Sequence, residues 1–139
     1  MFYPTPKKKR LPAMQPFALS KETTTETVGT IYGKTPGSVE EWRVAVALWK
    51  YKLPFEYQVN IRGGSRLRGG QRVDFVVSNP FPQPVQVYGE YWHTGQLGSE
   101  DRMKLAILAD IYGREVVVLW GSELGDQSAA DAAVRRELL

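Results

Sequence analysis

Apolar residues at helical spacing follow Ser38 and predict the first helix of the chain, over residues 38–52. Its apolar stripe consists of Trp42, Ala45, Val46 and Trp49. Ser38 and Glu41 fit the Ser-x-x-Glu pattern of a capping box, in which the serine side chain accepts a hydrogen bond from the backbone three residues later. Pro54 then ends the helix, because proline has no backbone N–H to donate. Capping alone would explain Glu41, although that residue also borders the buried face of the helix.

Three stretches with the composition of strands follow this helix. Residues 55–61 alternate apolar and polar side chains, and residues 73–77 and 85–88 are rich in valine and aromatic residues. The proline-rich residues 79–84 between the last two stretches predict a turn. The pattern therefore predicts one separate strand followed by a hairpin.

Two helices and a strand complete the predicted order. Residues 101–112 have an apolar helical face and are followed by Gly113, a residue typical of helix C-terminal ends. Residues 115–120 are apolar enough to predict a central strand, and residues 126–138 predict an alanine-rich helix. The order helix, strand, strand, strand, helix, strand, helix predicts a single α/β domain, with a central mixed four-stranded sheet flanked by helices.

Residues 1–37 differ from the rest of the chain because they lack a sustained period. They hold several prolines and the basic run Lys7, Lys8, Lys9 and Arg10. We expect residues 1–37 to form an extended basic arm with little regular structure, and residues 38–139 to form the domain. The arm is either a solvated tail, a contact for a polyanion, or a segment held by a protein partner or a second copy of the chain.

The overall composition narrows the class of protein. A chain of 139 residues suffices for one domain with its own core, and a hydrophobic fraction of 42% with a charged fraction of 24% is typical of globular proteins. The chain has no cysteine, which excludes a disulfide scaffold and a thiolate zinc site. No apolar run approaches the roughly 20 residues that cross a bilayer. We therefore expect a cytoplasmic protein with no membrane partner.

Positive charge is concentrated rather than spread along the chain. The net charge is only +3, but the glycine-rich residues 62–70 hold a second basic cluster besides the N-terminal run. That cluster consists of Arg62, Arg66 and Arg68. A basic loop near a candidate site indicates a polyanionic partner such as DNA. A plain connection between two strands is the alternative interpretation.

Asp74 and His93 carry the candidate chemistry of the predicted hairpin. Asp74 begins an otherwise apolar strand, and a buried carboxylate needs a partner. That partner is either Arg72, as a salt bridge, or a hard cation such as Mg²⁺, which prefers oxygen ligands. His93 is the only histidine of the chain, and it is either a general base for a metal-oriented water or a structural residue. Asp101 either only starts a helix, or orients His93 or the metal.

Several segments of the chain carry a family resemblance. The segments RVDFVV at 72–77 and VYGEYWH at 87–93, followed by Asp101-Arg102 and the apolar residues 116–120, resemble the very-short-patch-repair (Vsr) type of endonuclease. That group belongs to the PD-(D/E)xK nuclease superfamily and includes homing-type nucleases with a Glu, Asp, His, Asp signature. The resemblance covers roughly residues 38–124. It implies a restriction-endonuclease-like core and a phage- or mobile-element-encoded, Mg²⁺-dependent endonuclease acting on duplex or branched DNA.

The resemblance also implies roles for single residues. Asp74 matches the strand aspartate that binds Mg²⁺, and a metal-binding backbone carbonyl before the family's glycine points to Val87. His93 matches the histidine that acts on the attacking water. Glu41 and Asp101 match the acids of the first helix and of the helix that follows the histidine. The resemblance therefore assigns all four side chains to catalysis.

The chain departs from the family in two ways. The Vsr repair enzymes proper carry a zinc site made of cysteine and extra histidine, which this chain lacks, so mismatch recognition is not expected. Gln86 and Tyr88 stand where the commoner superfamily pattern has an acid and a lysine. The alternative function is therefore a catalytically inactive relative, either a nucleic-acid-binding protein or a structural subunit of a larger assembly.

Overall fold

A computed structural model describes residues 28–61, 72–89 and 97–139 of the chain. These residues form α1 (Val39–Lys50), β1 (Phe55–Asn60), β2 (Arg72–Ser78), β3 (Pro82–Tyr88), α2 (Ser99–Tyr112), β4 (Val117–Trp120) and α3 (Gln127–Leu138). A short 3₁₀ helix, Gly121–Glu123, follows β4. The element order and the mixed four-stranded sheet confirm the predicted α/β class.

The strands are arranged in the sheet in the order β1-β2-β3-β4. The first two pairings are antiparallel, and β3 pairs with β4 in parallel. The prediction that the apolar residues 115–120 form a central strand is wrong, since β4 lies at the edge of the sheet. Val117 packs against the hydrophobic cluster on one face of the sheet and Val116 against that on the other. The sequence of β4 is therefore apolar because helices cover both faces of the sheet, although the strand itself lies at the edge.

Helices cover both faces of the sheet and create two hydrophobic clusters. The larger cluster lies between the sheet and helices α1 and α3, and its buried side chains include Trp42, Phe55 and Phe75. The smaller cluster lies between the sheet and α2 and is built on Val76 and Leu108. Because neighbouring residues of a strand point to opposite faces, Phe75 and Val76 place the two clusters on opposite sides of the sheet. The domain therefore has three layers.

The proline-rich turn is shorter than residues 79–84, because Pro82 and Pro84 belong to β3 and pair with β2. Proline cannot donate a backbone hydrogen bond. This loss is tolerated where the side of the strand to which the N–H would point has no partner strand. Pairing of β3 with β4 begins at Val85, beyond both prolines. The two prolines therefore lie where β3 still has an unpaired side.

The ends of α1 follow from local hydrogen bonds. The Ser38 hydroxyl accepts a hydrogen bond of 3.1 Å from the backbone N–H of Glu41, which confirms the predicted N-terminal cap. The helix ends two residues before the predicted limit, because Lys52 has a left-handed backbone with φ 59°. The N–H of Leu53 then bonds back to the carbonyl of Leu48 at 2.9 Å, as in a Schellman motif. The cap at Ser38 fixes the first turn of α1, which carries Glu41.

The described part of the predicted N-terminal arm, residues 28–37, packs on the domain. Ile31 is fully buried. The Tyr32 hydroxyl donates a hydrogen bond to the carbonyl of Phe55 at 2.8 Å, and Lys34 Nζ donates one to the carbonyl of Tyr57 at 3.2 Å. These bonds satisfy carbonyl groups of β1, the other edge strand of the sheet. The packed structure therefore begins before the expected boundary between residues 37 and 38.

The helices that the structure describes can be compared with the thickness of a membrane. The longest is α2, with 14 residues, which corresponds to about 21 Å at 1.5 Å per residue. The hydrocarbon core of a bilayer is about 30 Å thick. None of the described helices is both long and apolar enough to cross it.

Candidate functional site

Strands β2 and β3 part at the level of Asp74. Their backbone pairing runs as far as Phe75 opposite Val85. At the next position, the backbone N–H of Asp74 donates to the side-chain oxygen Oε1 of Gln86 at 2.6 Å. The backbone N–H of Val87 donates to Oδ2 of Asp74 at 2.9 Å. Two side chains thus take the place of ladder bonds, and they fix the Asp74 carboxylate in the opening between the strands.

At this level of the sheet, the side chains of both β1 and β2 switch from one face of the sheet to the other. Tyr57 packs in the cluster beneath α1 and α3, whereas Val59, two residues later, packs against the α2 cluster. Phe75 and Val73 show the same change on β2. Residues two apart lie on one face of a regular strand, so each strand must turn between them. On β1 the turn is visible at Gln58, whose φ of 52° is left-handed.

Tyr57 connects this distorted region to Glu41. Its hydroxyl donates a hydrogen bond to Oε1 of Glu41. The same hydroxyl accepts hydrogen bonds from the backbone N–H of Gly37 at 3.0 Å and from Nε2 of Gln58 at 3.1 Å. Burial raises the pKa of the Tyr57 phenol, and the bond to Glu41 raises it further. The phenol therefore stays protonated at neutral pH and remains a donor to Glu41.

The electrostatics of Asp74 differ from those of a surface carboxylate. Burial raises its pKa to about 6, and the negative charge of Glu41 contributes to the rise. The bond from Val87 and the positive charges of Lys104 and Arg72 act in the opposite direction. Near neutral pH two carboxylates thus repel each other in a largely buried opening, an arrangement that a cation would relieve.

The structure brings together two of the four predicted catalytic side chains. Asp74 and Glu41 interact electrostatically, and Val87, the predicted carbonyl ligand, contacts the Asp74 carboxylate through its N–H. Asp101 lies in the first turn of α2 and is partly buried. Within the three described ranges, no three side chains of His, Cys, Asp or Glu are grouped so as to hold a metal ion.

The other predicted site residues lie outside the described residues. They are His93, Lys7, Lys8, Lys9, Arg10, Arg62, Arg66 and Arg68. The predicted Arg72 partner of Asp74 is described; its side chain is exposed and lowers the pKa of Asp74 through its charge. A salt bridge to Arg72 is therefore not the main feature of the Asp74 environment, which is set by burial, by Glu41 and by the Val87 bond.

Sequence reasoning missed the parts of Tyr57 and Gln86 in the site. The alternation of residues 55–61 identified Tyr57 only as an apolar position, and its hydroxyl gives no signal in such a pattern. In the sequence, Gln86 stands out only as a departure from the family pattern. It is 3% exposed, and a buried amide within a strand is a signal that its polar atoms have partners.

Gly89 and Gly121 approach each other closely at the C-terminal ends of β3 and β4. A Cβ added to Gly121 would lie 2.8 Å from the Gly89 Cα and 2.9 Å from its carbonyl oxygen. We expect Gly121→Ala to push these strand ends apart and to lower the free energy of unfolding by about 1–3 kcal/mol. Urea denaturation measures this loss.

Gly125→Ala is the matched control for this prediction, because nothing lies within 4 Å of a Cβ at Gly125. It should leave stability nearly unchanged. Equal stability of the Gly121→Ala protein and the wild type would show that the two strand ends separate without cost.

Comparison of the chain with protein-family models, with curated proteins and with solved structures found no significant match.

Proposed function

We propose that this protein is a Mg²⁺-dependent DNA endonuclease that hydrolyses phosphodiester bonds. The observation that carries the proposal is the Asp74 carboxylate at the point where β2 and β3 part, which accepts a hydrogen bond from Val87 and lies within the electrostatic influence of Glu41. Repulsion between carboxylates in a partly buried site destabilises a protein unless a cation or a proton is bound. Such destabilising arrangements are concentrated at functional sites.

The donor set at this site fits Mg²⁺. Mg²⁺ prefers oxygen ligands and is commonly held by one or two carboxylates together with water and substrate phosphate. Asp74 and Glu41 offer carboxylate oxygens, and the bond from Val87 engages only Oδ2 of Asp74. When bound, the ion would polarise the scissile phosphate and neutralise its developing charge. Asp74 is its principal ligand in this proposal and the carbonyl of Val87 a second, as the resemblance implies, and the Glu41 carboxylate completes the set of oxygen donors.

The chain's own groups would complete the reaction. His93 takes a proton from the attacking water, since a histidine near neutral pH is suited to general base catalysis. Asp101 orients His93 or the metal from the first turn of α2. The basic residues of the 62–70 loop and of the N-terminal arm hold DNA phosphates, which supports affinity without reading the base sequence. This proposal includes a restriction-endonuclease-like core as the scaffold of the site.

Gln86 favours a second candidate function, that of a catalytically inactive nuclease-like protein that binds nucleic acid or serves as a structural subunit. The commoner superfamily pattern has a negatively charged ligand here, whereas Gln86 is neutral. Its side-chain oxygen is engaged by the Asp74 backbone at 2.6 Å. In that role Gln86 stabilises the parted strands and adds no charge to attract a cation.

A nicking assay separates the two functions. Supercoiled plasmid, branched and single-stranded DNA are incubated with the full chain in Mg²⁺ and, in parallel, in EDTA. The endonuclease is expected to convert at least one substrate in Mg²⁺ and none in EDTA. DNA binding without cleavage in either buffer, together with no Mg²⁺ binding by calorimetry, would support the inactive relative.

A further inference from the structure

We infer that Tyr57 is a positioning residue of this site, which holds the Glu41 carboxylate beside Asp74 and thereby sets the affinity for the divalent cation. The inference rests on the proposed function, because it assigns Tyr57 to the same metal site. It adds a residue that neither the sequence pattern nor the family resemblance assigned. The hydroxyl acts through Glu41 and does not itself bind the metal or the substrate.

The direction of the Tyr57 O–H bond is fixed by its neighbours. The hydroxyl oxygen receives two donors, the backbone N–H of Gly37 at 3.0 Å and Nε2 of Gln58 at 3.1 Å. A phenol has one proton of its own to donate, and in Tyr57 this proton goes to Oε1 of Glu41. Because the oxygen already accepts two hydrogen bonds, turning its proton away from Glu41 would break at least one of the three bonds.

The Tyr57 ring is held as firmly as its hydroxyl. Tyr57 is 4% exposed and lies opposite Phe75 in the β1–β2 ladder. The two rings pack with their centroids 5.0 Å apart. Phe75 is the chain neighbour of Asp74, so the ring and the hydroxyl tie the first turn of α1 to the segment of β2 that carries the acid. A metal site needs such support, because its ligands stay in position only when the surrounding residues hold them there.

Loss of the hydroxyl would release Glu41. Its carboxylate would lose a donor and would be free to move away from the like charge of Asp74. Metal binding would then have to order Glu41 again and bring the two charges back together. Removing an outer hydrogen-bond partner of a metal ligand typically weakens metal binding by about 10–100-fold. We expect a loss of this size for Tyr57→Phe.

Isothermal titration calorimetry with MgCl₂ on the full chain, without DNA, tests the inference. Tyr57→Phe keeps the ring and its packing on Phe75, and it should bind Mg²⁺ about 10–100-fold more weakly than the wild type. Tyr32→Phe is the matched control: it removes a hydroxyl that also bonds to β1, at the carbonyl of Phe55 (2.8 Å), but that has no bond to Glu41. It should bind Mg²⁺ like the wild type.

A double-mutant cycle separates positioning from a general structural role. In the Glu41→Gln background, Tyr57→Phe should cause little further loss of Mg²⁺ affinity, because its effect passes through the Glu41 carboxylate. Gln58→Met removes one donor that orients the hydroxyl and leaves Tyr57 in place. It should weaken binding in the same direction by a smaller factor, and it serves if Tyr57→Phe does not fold in a thermal melt.

The outcomes distinguish the inference from the function on which it rests. A wild type that does not bind Mg²⁺ in the absence of DNA overturns the inference, and one that also fails to cleave DNA in Mg²⁺ overturns the proposed function. A wild type that binds Mg²⁺, with unchanged affinity in Tyr57→Phe and Gln58→Met, overturns only the inference. The inference is also overturned if Tyr57→Phe weakens binding equally with and without the Glu41 carboxylate.

Discussion

Asp74→Asn is expected to abolish Mg²⁺-dependent DNA cleavage while the protein still folds and binds DNA. Asparagine keeps the size of the side chain and an oxygen that can accept the Val87 bond, which is 2.9 Å long. It removes the charge that holds a hard cation. Loss of the ion's several kcal/mol of transition-state stabilisation corresponds to about 10³-fold or more in rate. Single-turnover nicking of plasmid DNA at saturating protein measures the loss.

Two further variants show whether the effect of Asp74→Asn comes from the loss of a metal ligand. Asp110→Asn makes the same chemical change on the exposed face of α2, and it should cleave at the wild-type rate. His93→Ala should slow cleavage by roughly 10²–10⁴-fold, as expected for a general base, while calorimetry shows Mg²⁺ binding unchanged. If Asp74→Asn cleaves as fast as the wild type, Asp74 is not a metal ligand and the proposed mechanism fails.

The fold could be predicted from the sequence wherever local pattern and burial coincide. The apolar stripe of α1, its cap at Ser38 and the end of α2 at Gly113 are local features, and each is present in the structure. The position of β4 depends on which elements cover it, and an apolar strand between two helical layers has the same sequence at the edge as at the centre. Pro82 and Pro84 read as a turn, because only the tertiary structure shows that one side of β3 is unpaired there.

The candidate site was less accessible to sequence reasoning. Asp74 was identified because an acid in an apolar strand is conspicuous, and its proximity to Glu41 was expected only from the family resemblance. The left-handed backbone of Gln58 could not have been predicted, since glutamine has no preference for positive φ comparable to that of glycine or asparagine. The same turn of the chain brings the Gln58 side chain to Tyr57, at 3.1 Å. The supporting network therefore became visible only in three dimensions.

Asp74→Asn should also make the metal-free protein more stable than the wild type at pH 8. The folded protein holds the Asp74 proton up to a pKa of about 6, whereas the ordinary pKa of the carboxyl group is 3.8. Between these values the folded state binds more protons than the unfolded state, so the free energy of unfolding falls as pH rises. Two pKa units correspond to about 3 kcal/mol at most. Asparagine carries no charge and avoids this loss.

Urea denaturation of both proteins in EDTA, from pH 4 to pH 8, measures this effect. The difference between the two proteins isolates Asp74, because the other carboxylates titrate in both. The variant's advantage should be small at pH 4, grow between pH 4 and about 6, and stay constant above pH 7. A variant that is less stable than the wild type at pH 8 would show that the Asp74 charge stabilises the fold, through Arg72 and Lys104.

Mg²⁺ should raise the stability of the wild type at pH 8 and so remove the advantage of the Asp74→Asn variant. An ion that binds only the folded state adds about 2.7 kcal/mol of stability at a concentration of 100 times its dissociation constant. The wild type at pH 8 should gain this stability and become as stable as the variant, which should gain little. At pH 5 the gain of the wild type should shrink, because binding must first remove the Asp74 proton. If Mg²⁺ stabilises both proteins equally at pH 8, the ion binds elsewhere and Asp74 is not its ligand.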